Sequence, residues 1–486
     1  MDNFLGYFFN KKIKKSLFIQ SANIKFIKSN PIVALVFPIY NDFVEENIEL
    51  SMKQLYKNIK VYFLDDSTDP SCIIQINNFC KKHKNIKLIR GHNKIINNVK
   101  YNSGLAAAFA NFYLKTKNEW DFMCHIDSGD IINCDHITKN VPLFYAYPKL
   151  AVVTSVYTYI RTNSFVQNIF GVSEDINACQ AIWQSQYLNR IMPGAGTIYR
   201  FKALDVLSNT SKNVWPDFIS EDGAISMELV KIGYETLWSN ATINAELNPY
   251  SFKSYKRRNI RWLSGAMELM TTGRYFDAYS KFPNLNITSK TNLFFTKLQM
   301  MFLFPIVVNI CIVFPIFYVY YPIFLQLFLF ITLLIFVLVY IWLIFYSVIT
   351  LIKIRKISPS KFVYSILFGI LLLPIYFAQF FSVVCIYFKW IIHRSNKPKF
   401  FVTSKNNQKI TIKNWFKSEW LNLLILCVFV VLIILVNVYT IPIYLKWVPP
   451  IIWFFVLFWF SKNIMNFLSI FKFKKEYYVF TKSFLQ

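Results

Sequence analysis

The chain has 486 residues, 55% of them hydrophobic and 19% aromatic, which is too apolar for one soluble domain and long enough for two. Its net charge is +27, from 53 Lys+Arg against 26 Asp+Glu, a balance that suits nucleic acid or anionic lipid. The basic residues of the C-terminal half cluster in loops between apolar runs. With no arginine-rich stripe and no nucleic-acid motif, this favours lipid and excludes nucleic acid as the expected partner.

Met1–Lys28 places Phe4, Leu5, Tyr7, Phe8 and Phe9 ahead of Lys11, Lys12, Lys14 and Lys15. That order is the reverse of a signal peptide. Residues 1–30 therefore read either as a basic amphipathic helix on the membrane surface or as an ordinary extension.

Five short apolar runs follow: Ile32–Phe37, Val61–Leu64, Ile86–Ile89, Phe122–Ile126 and Leu150–Tyr157. Helix-like stretches such as Val44–Tyr56 and Gly104–Leu114 separate them. Strands of four to eight residues alternating with helices predict a buried, mostly parallel sheet over residues 31–250. Ligands of such sheets sit beyond the carboxyl ends of the strands. Two acidic clusters, Asp65-Asp66 and Asp127…Asp130, fall at two of those ends. Together they suit a base and a metal-bound diphosphate; separately, each reads equally as a helix cap.

Among the eight cysteines there is no CxxC pair, and the run Cys124, His125, Cys134, His136 matches no zinc spacing. The expectation is reduced thiols.

These motifs, in this order, resemble the family 2 glycosyltransferases, and within them the cellulose synthase and hyaluronan synthase branch. Pro38-Ile39-Tyr40-Asn41 looks like the first nucleotide loop, which would put Pro38 and Tyr40 on the donor. Asp65-Asp66-Ser67-Thr68-Asp69 resembles the nucleobase element, with Asp66 the favoured contact, and Lys100 resembles a diphosphate-binding lysine. Asp127-Ser128-Gly129-Asp130 resembles the metal motif, with Gly129 in place of its middle aspartate. The resemblance thus implies Asp127 and Asp130 as ligands of a divalent cation, Mg or Mn, and Asp127 as a donor contact.

Pro193-Gly194-Ala195-Gly196-Thr197 is similar to the acceptor segment, implying Gly194 and Gly196 beside the sugar, although an ordinary tight turn has the same sequence. Ser220-Glu221-Asp222 resembles the motif whose aspartate is the general base, which makes Asp222, with Glu221, the catalytic pair. Arg258-Asn259-Ile260-Arg261-Trp262 resembles the QxxRW motif with Arg258 in place of Gln. It implies Arg258 and Arg261 at the diphosphate and Trp262 under the acceptor sugar, on interface helices spanning residues 251–299. Trp262 alone also suits membrane-interface packing.

Beyond residue 300 lie five apolar segments: Met300–Tyr320, Ile323–Ile352, Phe362–Ile392, Trp420–Ile441 and Trp447–Ile470. Each has enough apolar residues to cross a hydrocarbon core of ~30 Å. If all five crossed, the basic loop Lys389–Lys417 and the basic tail Lys472–Lys475 would face outward, against the positive-inside bias. The conflict disappears if Phe362–Ile392, which carries Gly369, Pro374 and Gln379, is interfacial or re-entrant. The expectation is four spans, two in residues 300–352 and two in residues 420–470, with a cytosolic tail at 471–486. The intervening loop 394–417 contains Phe400-Phe401-Val402-Thr403-Ser404-Lys405, which resembles the FxVTxK gating loop and implies Thr403 and Lys405 on the donor.

The expected fold is an α/β, GT-A, Rossmann-like nucleotide-sugar domain followed by an α-helical transmembrane domain. The expected function is processive, inverting polymerisation of hexose units from a UDP-sugar, with export of the polysaccharide through the plasma membrane. The lipid bilayer and the growing polysaccharide are the expected partners, and a homo-oligomer is compatible. Two other readings stay open: a non-processive transferase acting on a lipid acceptor, and a channel or transporter whose cytosolic domain is catalytically dead.

Overall fold

The computed structural model describes residues 30–272, apart from 92–94, 97–98, 102, 161–166, 168–170, 172–193, 211–214 and 250–251. The N-terminal segment 1–29, Pro193, the five apolar segments and the loop with Thr403 and Lys405 lie outside the described residues. No helix among the described residues is long and apolar enough to cross a membrane.

In chain order the elements are β1 (Val33–Ile39), α1 (Glu45–Met52), β2 (Ile59–Asp65), α2 (Pro70–Lys82), β3 (Ile86–Arg90), β4 (Ile95–Ile96), β5 (Val99–Lys100), α3 (Gly104–Thr116), β6 (Phe122–His125), β7 (Asp130–Ile131), α4 (His136–Ala146), β8 (Leu150–Tyr159), β9 (Thr197–Arg200), α5 (Phe201–Thr210), α6 (Glu221–Lys231), β10 (Glu235–Glu246) and α7 (Phe252–Thr271). Eight strands form one sheet in the order β3-β2-β1-β6-β9-β8-β10-β7, and β4 pairs with β5 in a separate ribbon.

Alternation along the strands explains the layers. In β1, Val33, Leu35 and Phe37 face one core with Ile48 of α1, Phe79 of α2 and Val141 of α4. Ala34 and Val36 face the other, with Phe109 and Phe112 of α3, Leu207 of α5 and Leu229 of α6. A strand buried on both faces needs an unbroken apolar run, and that is what β1, β2 and β6 supply. Pro38 lacks an N–H for the ladder, yet it does no harm there. It lies beyond Val36, the last β1 residue paired with β6, and keeps only its β2 neighbour Leu64.

The sheet is mostly parallel, as expected, with β8 also pairing parallel to β10, but two strands run the other way. β3, β2, β1 and β6 are parallel, but β9 runs antiparallel to both β6 and β8, and β7 runs antiparallel to β10. β9 has only four residues and follows a glycine turn, so it carries no run that periodicity detects. β10 alternates irregularly and is interrupted by register shifts against β8.

Candidate active site

Parallel pairing fixes the edge on which the site is built. The carboxyl end of β1 registers Ile39 with Asp65 of β2, and Val36 lies beside His125 at the end of β6. Loops 40–44, 66–69 and 126–129 therefore leave the sheet on the same edge. Asn41 joins the first two. Its backbone is left-handed, with φ at 57°. Its side-chain oxygen accepts from the amides of Thr68 (2.9 Å) and Asp69 (2.8 Å). Its Nδ2 donates to Thr68 Oγ1 at 3.0 Å, and its amide donates to Ser67 Oγ at 3.0 Å. Asparagine tolerates this backbone region and supplies both a donor and an acceptor, which accounts for the residue type.

Of the two neighbouring aspartates, Asp65 is buried and committed. Its carboxylate accepts from Arg90 Nε at 2.8 Å and from the Ser67 amide at 3.0 Å. Asp66 is half-buried, and its amide donates to the Ile39 carbonyl. Tyr40 is exposed beside it, and Lys100 lies exposed on β5.

The ends of β6, β9 and α6 bring the remaining predicted residues together. His125, buried against the ring of Phe109 (4.7 Å between centroids), places Nε2 3.0 Å from Asp127 Oδ1. A side chain on Gly194 would meet His125 Cε1 at 3.1 Å and Asp222 Oδ2 at 3.4 Å. Gly194 thus lies between the His125–Asp127 pair and the carboxylate expected to be the base. Asp222 sits in the first turn of α6, and its Oδ1 accepts from the Ser220 hydroxyl (2.8 Å) and the Gly223 amide (2.6 Å). Oδ1 is thereby fixed, and Oδ2 faces the glycine turn.

Glu221 beside it is buried. Burial first, then the charges of Asp222 and Asp127, push its carboxyl well above the usual range, against an opposing effect of Arg261. Glu221 therefore favours its protonated form more than an ordinary glutamate does. Adjacent carboxyls with such different surroundings suit different roles.

In α7, Trp262 is exposed, and Arg261 is half-buried within electrostatic reach of Glu221. Arg258 is buried. Its Nη1 donates to Glu246 Oε1 and to Asn248 Oδ1, both at 3.0 Å, and its guanidinium lies 4.5 Å from the centre of the Trp262 ring. The arginine in the glutamine position of the motif thus straps α7 to the end of β10 and backs the tryptophan. Paired in this way, its charge is tolerated in the interior.

The two aspartates expected to share a cation are placed differently. The Asp127 side chain is 38% exposed. Asp130 is 1% exposed on β7, with its backbone paired to Glu246. After burial itself, the Asp130 charge is the largest influence raising the pKa of the buried Tyr157 hydroxyl. No group of three His, Cys, Asp or Glu among the described residues is arranged to hold a metal ion. A cation bridging a bound diphosphate needs only one or two protein carboxylates; the half-exposed Asp127 and the buried Asp130 follow β6 and open β7. Cys72, Cys80, Cys124 and Cys134 are free thiols.

Beneath the glycine turn lies a buried polar network. His136 Nε2 is 3.0 Å from the Gly196 carbonyl, which only accepts, so Nε2 carries the proton. Nδ1 then accepts from Thr242 Oγ1 at 3.0 Å, and Asn140 and Ser155 complete the cluster. Burial lowers the His136 pKa to about 4. An unfolded histidine titrates near 6.5, so the unfolded chain binds the extra proton between these values. The resulting stability is complete above pH ~6.5 and is lost as pH falls towards 4, by about 3 kcal/mol. Glu221 acts oppositely, since its raised pKa removes stability as pH rises above the normal glutamate range. Chemical unfolding of wild type against His136→Gln from pH 7 to 4 isolates the first effect. The wild type is expected to lose the additional stability, and parallel profiles would contradict the assignment.

Several residues that sequence reasoning did not assign to the site hold it together: Asn41, His125 and Ser220. Asn41 and Ser220 carried a signal as members of the nucleotide-loop and base motifs, and His125 through its place two residues before Asp127.

The sequence profile of glycosyl transferase family group 2 matches residues 122–372. An uncharacterized glycosyltransferase of Haemophilus influenzae is 30% identical over 113 residues, covering 23% of this chain and 41% of that protein, so the chain spans less than half of that relative's length. The mannosyltransferase PcManGT of Pyrobaculum calidifontis, solved with GDP-Man and Mn2+, aligns over 58% of this chain and 80% of its own, at 13% identity and a TM-score of 0.38. Residues 1–349 of S. aureus TarS align over 52% of this chain and 73% of their own, at 16% identity and a TM-score of 0.30. The family profile covers more than half of the chain and takes in β6, the glycine turn, Asp222 and α7; the chain belongs to glycosyl transferase family group 2.

Proposed function

We propose that this protein is a membrane-embedded, inverting, processive glycosyltransferase that polymerises hexose units from a UDP-sugar and passes the product through its own membrane half. The observation that carries the catalytic part is the meeting of Asp222 Oδ2 and the His125–Asp127 pair on either side of Gly194. In this reading Asp222 Oδ2 takes the proton from the acceptor hydroxyl as its oxygen bonds to the anomeric carbon. The bond from that carbon to the diphosphate breaks, UDP leaves, and the configuration inverts. Tyr40 and Asp66 face the nucleobase, while Lys100 and Arg261 meet the departing diphosphate. Asp127, with Asp130, would hold a divalent cation, Mg or Mn, which would neutralise diphosphate charge when bound. Gly194 gives the acceptor room, and Trp262 offers it a flat apolar face. The buried Glu221, its carboxyl pushed up first by burial, lies next to the base.

The membrane part of the proposal rests on the apolar segments after Met300 and on the charge asymmetry of their loops. The family match extends to residue 372, through the first two of those segments. In this reading four helices span the plasma membrane, Phe362–Ile392 lies at its interface, and Thr403 and Lys405 close over the donor from the cytosolic side.

Purified protein in lipid, offered a panel of nucleotide sugars with Mg or Mn, tests the proposal through product size and linkage. Polymer from a UDP-sugar is expected. A lipid carrying one or two sugars would overturn processivity, and no sugar transfer from any nucleotide would favour the channel reading. For topology, Asn406→Cys, with the native cysteines replaced, is expected to react with an impermeant thiol reagent only after cells are permeabilised. Labelling of sealed cells would overturn the four-span arrangement.

A further inference from the structure

The loop that carries Asp222 is held from two sides. On the sheet side, Asp217 Oδ1 accepts from the Ser103 amide at 2.8 Å, at the start of α3. On the other side it rests on α7. Glu268, buried in that helix, accepts the Ile219 amide on Oε2 at 2.8 Å. One turn earlier, Gly265 lies directly against Ser220: a Cβ there would come within 2.8 Å of Ser220 Cβ and 3.0 Å of its backbone nitrogen. Ser220 in turn donates its hydroxyl to Asp222 Oδ1. A continuous path of contacts therefore runs from α7 through Ile219 and Ser220 to the carboxylate.

We infer that α7 sets the position of the catalytic base, with Glu268 and Gly265 as positioning residues for Asp222. The inference rests on Asp222 being the base. Both act through the loop: Gly265 abuts Ser220, which orients Asp222, and Glu268 holds Ile219, the residue before Ser220. The buried Glu268 supplies an acceptor for a partly buried loop amide. Glycine at 265 is required because the atoms it abuts are backbone and Cβ, which cannot swing away. A misplacement of about 1 Å at a reacting group costs on the order of 100-fold in rate. Small shifts of α7, the last described element before the apolar half, are thus transmitted to the chemistry.

The test compares the full-length protein in lipid with Glu268→Ala, Glu268→Gln, Gly265→Ala and Asp222→Asn. Measured quantities are kcat, donor KM, and the affinity and stoichiometry of UDP binding by calorimetry. Glu268→Ala and Gly265→Ala are expected to lower kcat by about 10- to 100-fold, with donor KM, UDP affinity and UDP stoichiometry held. Glu268→Gln is expected to retain most activity, because its amide oxygen still accepts the Ile219 N–H. Wild-type kcat in Glu268→Ala would overturn the inference. So would a Glu268→Gln as slow as Glu268→Ala, or a UDP stoichiometry that falls in step with kcat. If Asp222→Asn itself stays active, it is the reading of the base that fails; if it is inactive while Glu268→Ala is not, only the positioning role fails.

Discussion

Asp222→Asn is expected to lower sugar transfer by about 10²–10⁴-fold while leaving UDP binding intact. The substitution is nearly silent structurally. The asparagine oxygen still accepts from the Ser220 hydroxyl and the Gly223 amide, the two contacts that fix Oδ1. What disappears is the second oxygen's ability to take a proton as the new bond forms. Steady-state transfer measured beside UDP calorimetry separates these effects. Retention of most of the activity would remove Asp222 from the mechanism.

Gly196→Ala is expected to have the largest effect on folding. Gly196 has φ at +60°, and an added Cβ would lie 1.9 Å from Tyr157 Oη and 2.6 Å from Asn244 Nδ2. Tyr157 Oη is buried, and Asn244 is buried with its Oδ1 holding the Asn133 amide, so neither retreats without cost. Backbone strain of about 1 kcal/mol and overpacking of about 1–3 kcal/mol together give roughly 2–4 kcal/mol. For a domain of this size that is a fall on the order of 10 °C in melting temperature. Transfer falls as well, because the same turn places Gly194 against Asp222 and hangs on His136 through the Gly196 carbonyl. Gly233→Ala is the control. Its φ of +96° also disfavours a side chain, but nothing lies within 4 Å of the added carbon. Equal melting temperatures for the two variants would show that the Tyr157 contact is not the cause.

Much of the sheet was legible because its central strands are buried on both faces and so read as unbroken apolar runs. All five apolar runs, from Ile32–Phe37 to Leu150–Tyr157, coincide with strands, the partly buried edge strand β3 included, and the acidic clusters sit at strand ends. The antiparallel insertion of β9 was not legible, because four residues after a glycine turn carry no periodicity. β10 was hidden by its mixed composition, Glu235 to Glu246, and its register shifts. Within the site, carboxylates and glycines were visible as motif positions, but what each carboxylate is bonded to was not. Asp65 turns to Arg90, and Asp130 turns into the interior, because long-range pairing decides where a strand-end side chain points. Arg258 shows the same limit: its partner Glu246 is supplied by β10, an element that sequence alone did not reveal.

The most direct measurement is a structure of the full chain in lipid with a non-hydrolysable UDP-sugar and a short acceptor. The account predicts the uracil between loops 40–44 and 66–69 and the diphosphate at Asp127 and Arg261. It also predicts an acceptor hydroxyl within hydrogen-bond distance of Asp222 Oδ2, over Gly194. A donor bound away from the carboxyl ends of β1, β2 and β6, or an acceptor hydroxyl facing another carboxylate, would contradict it.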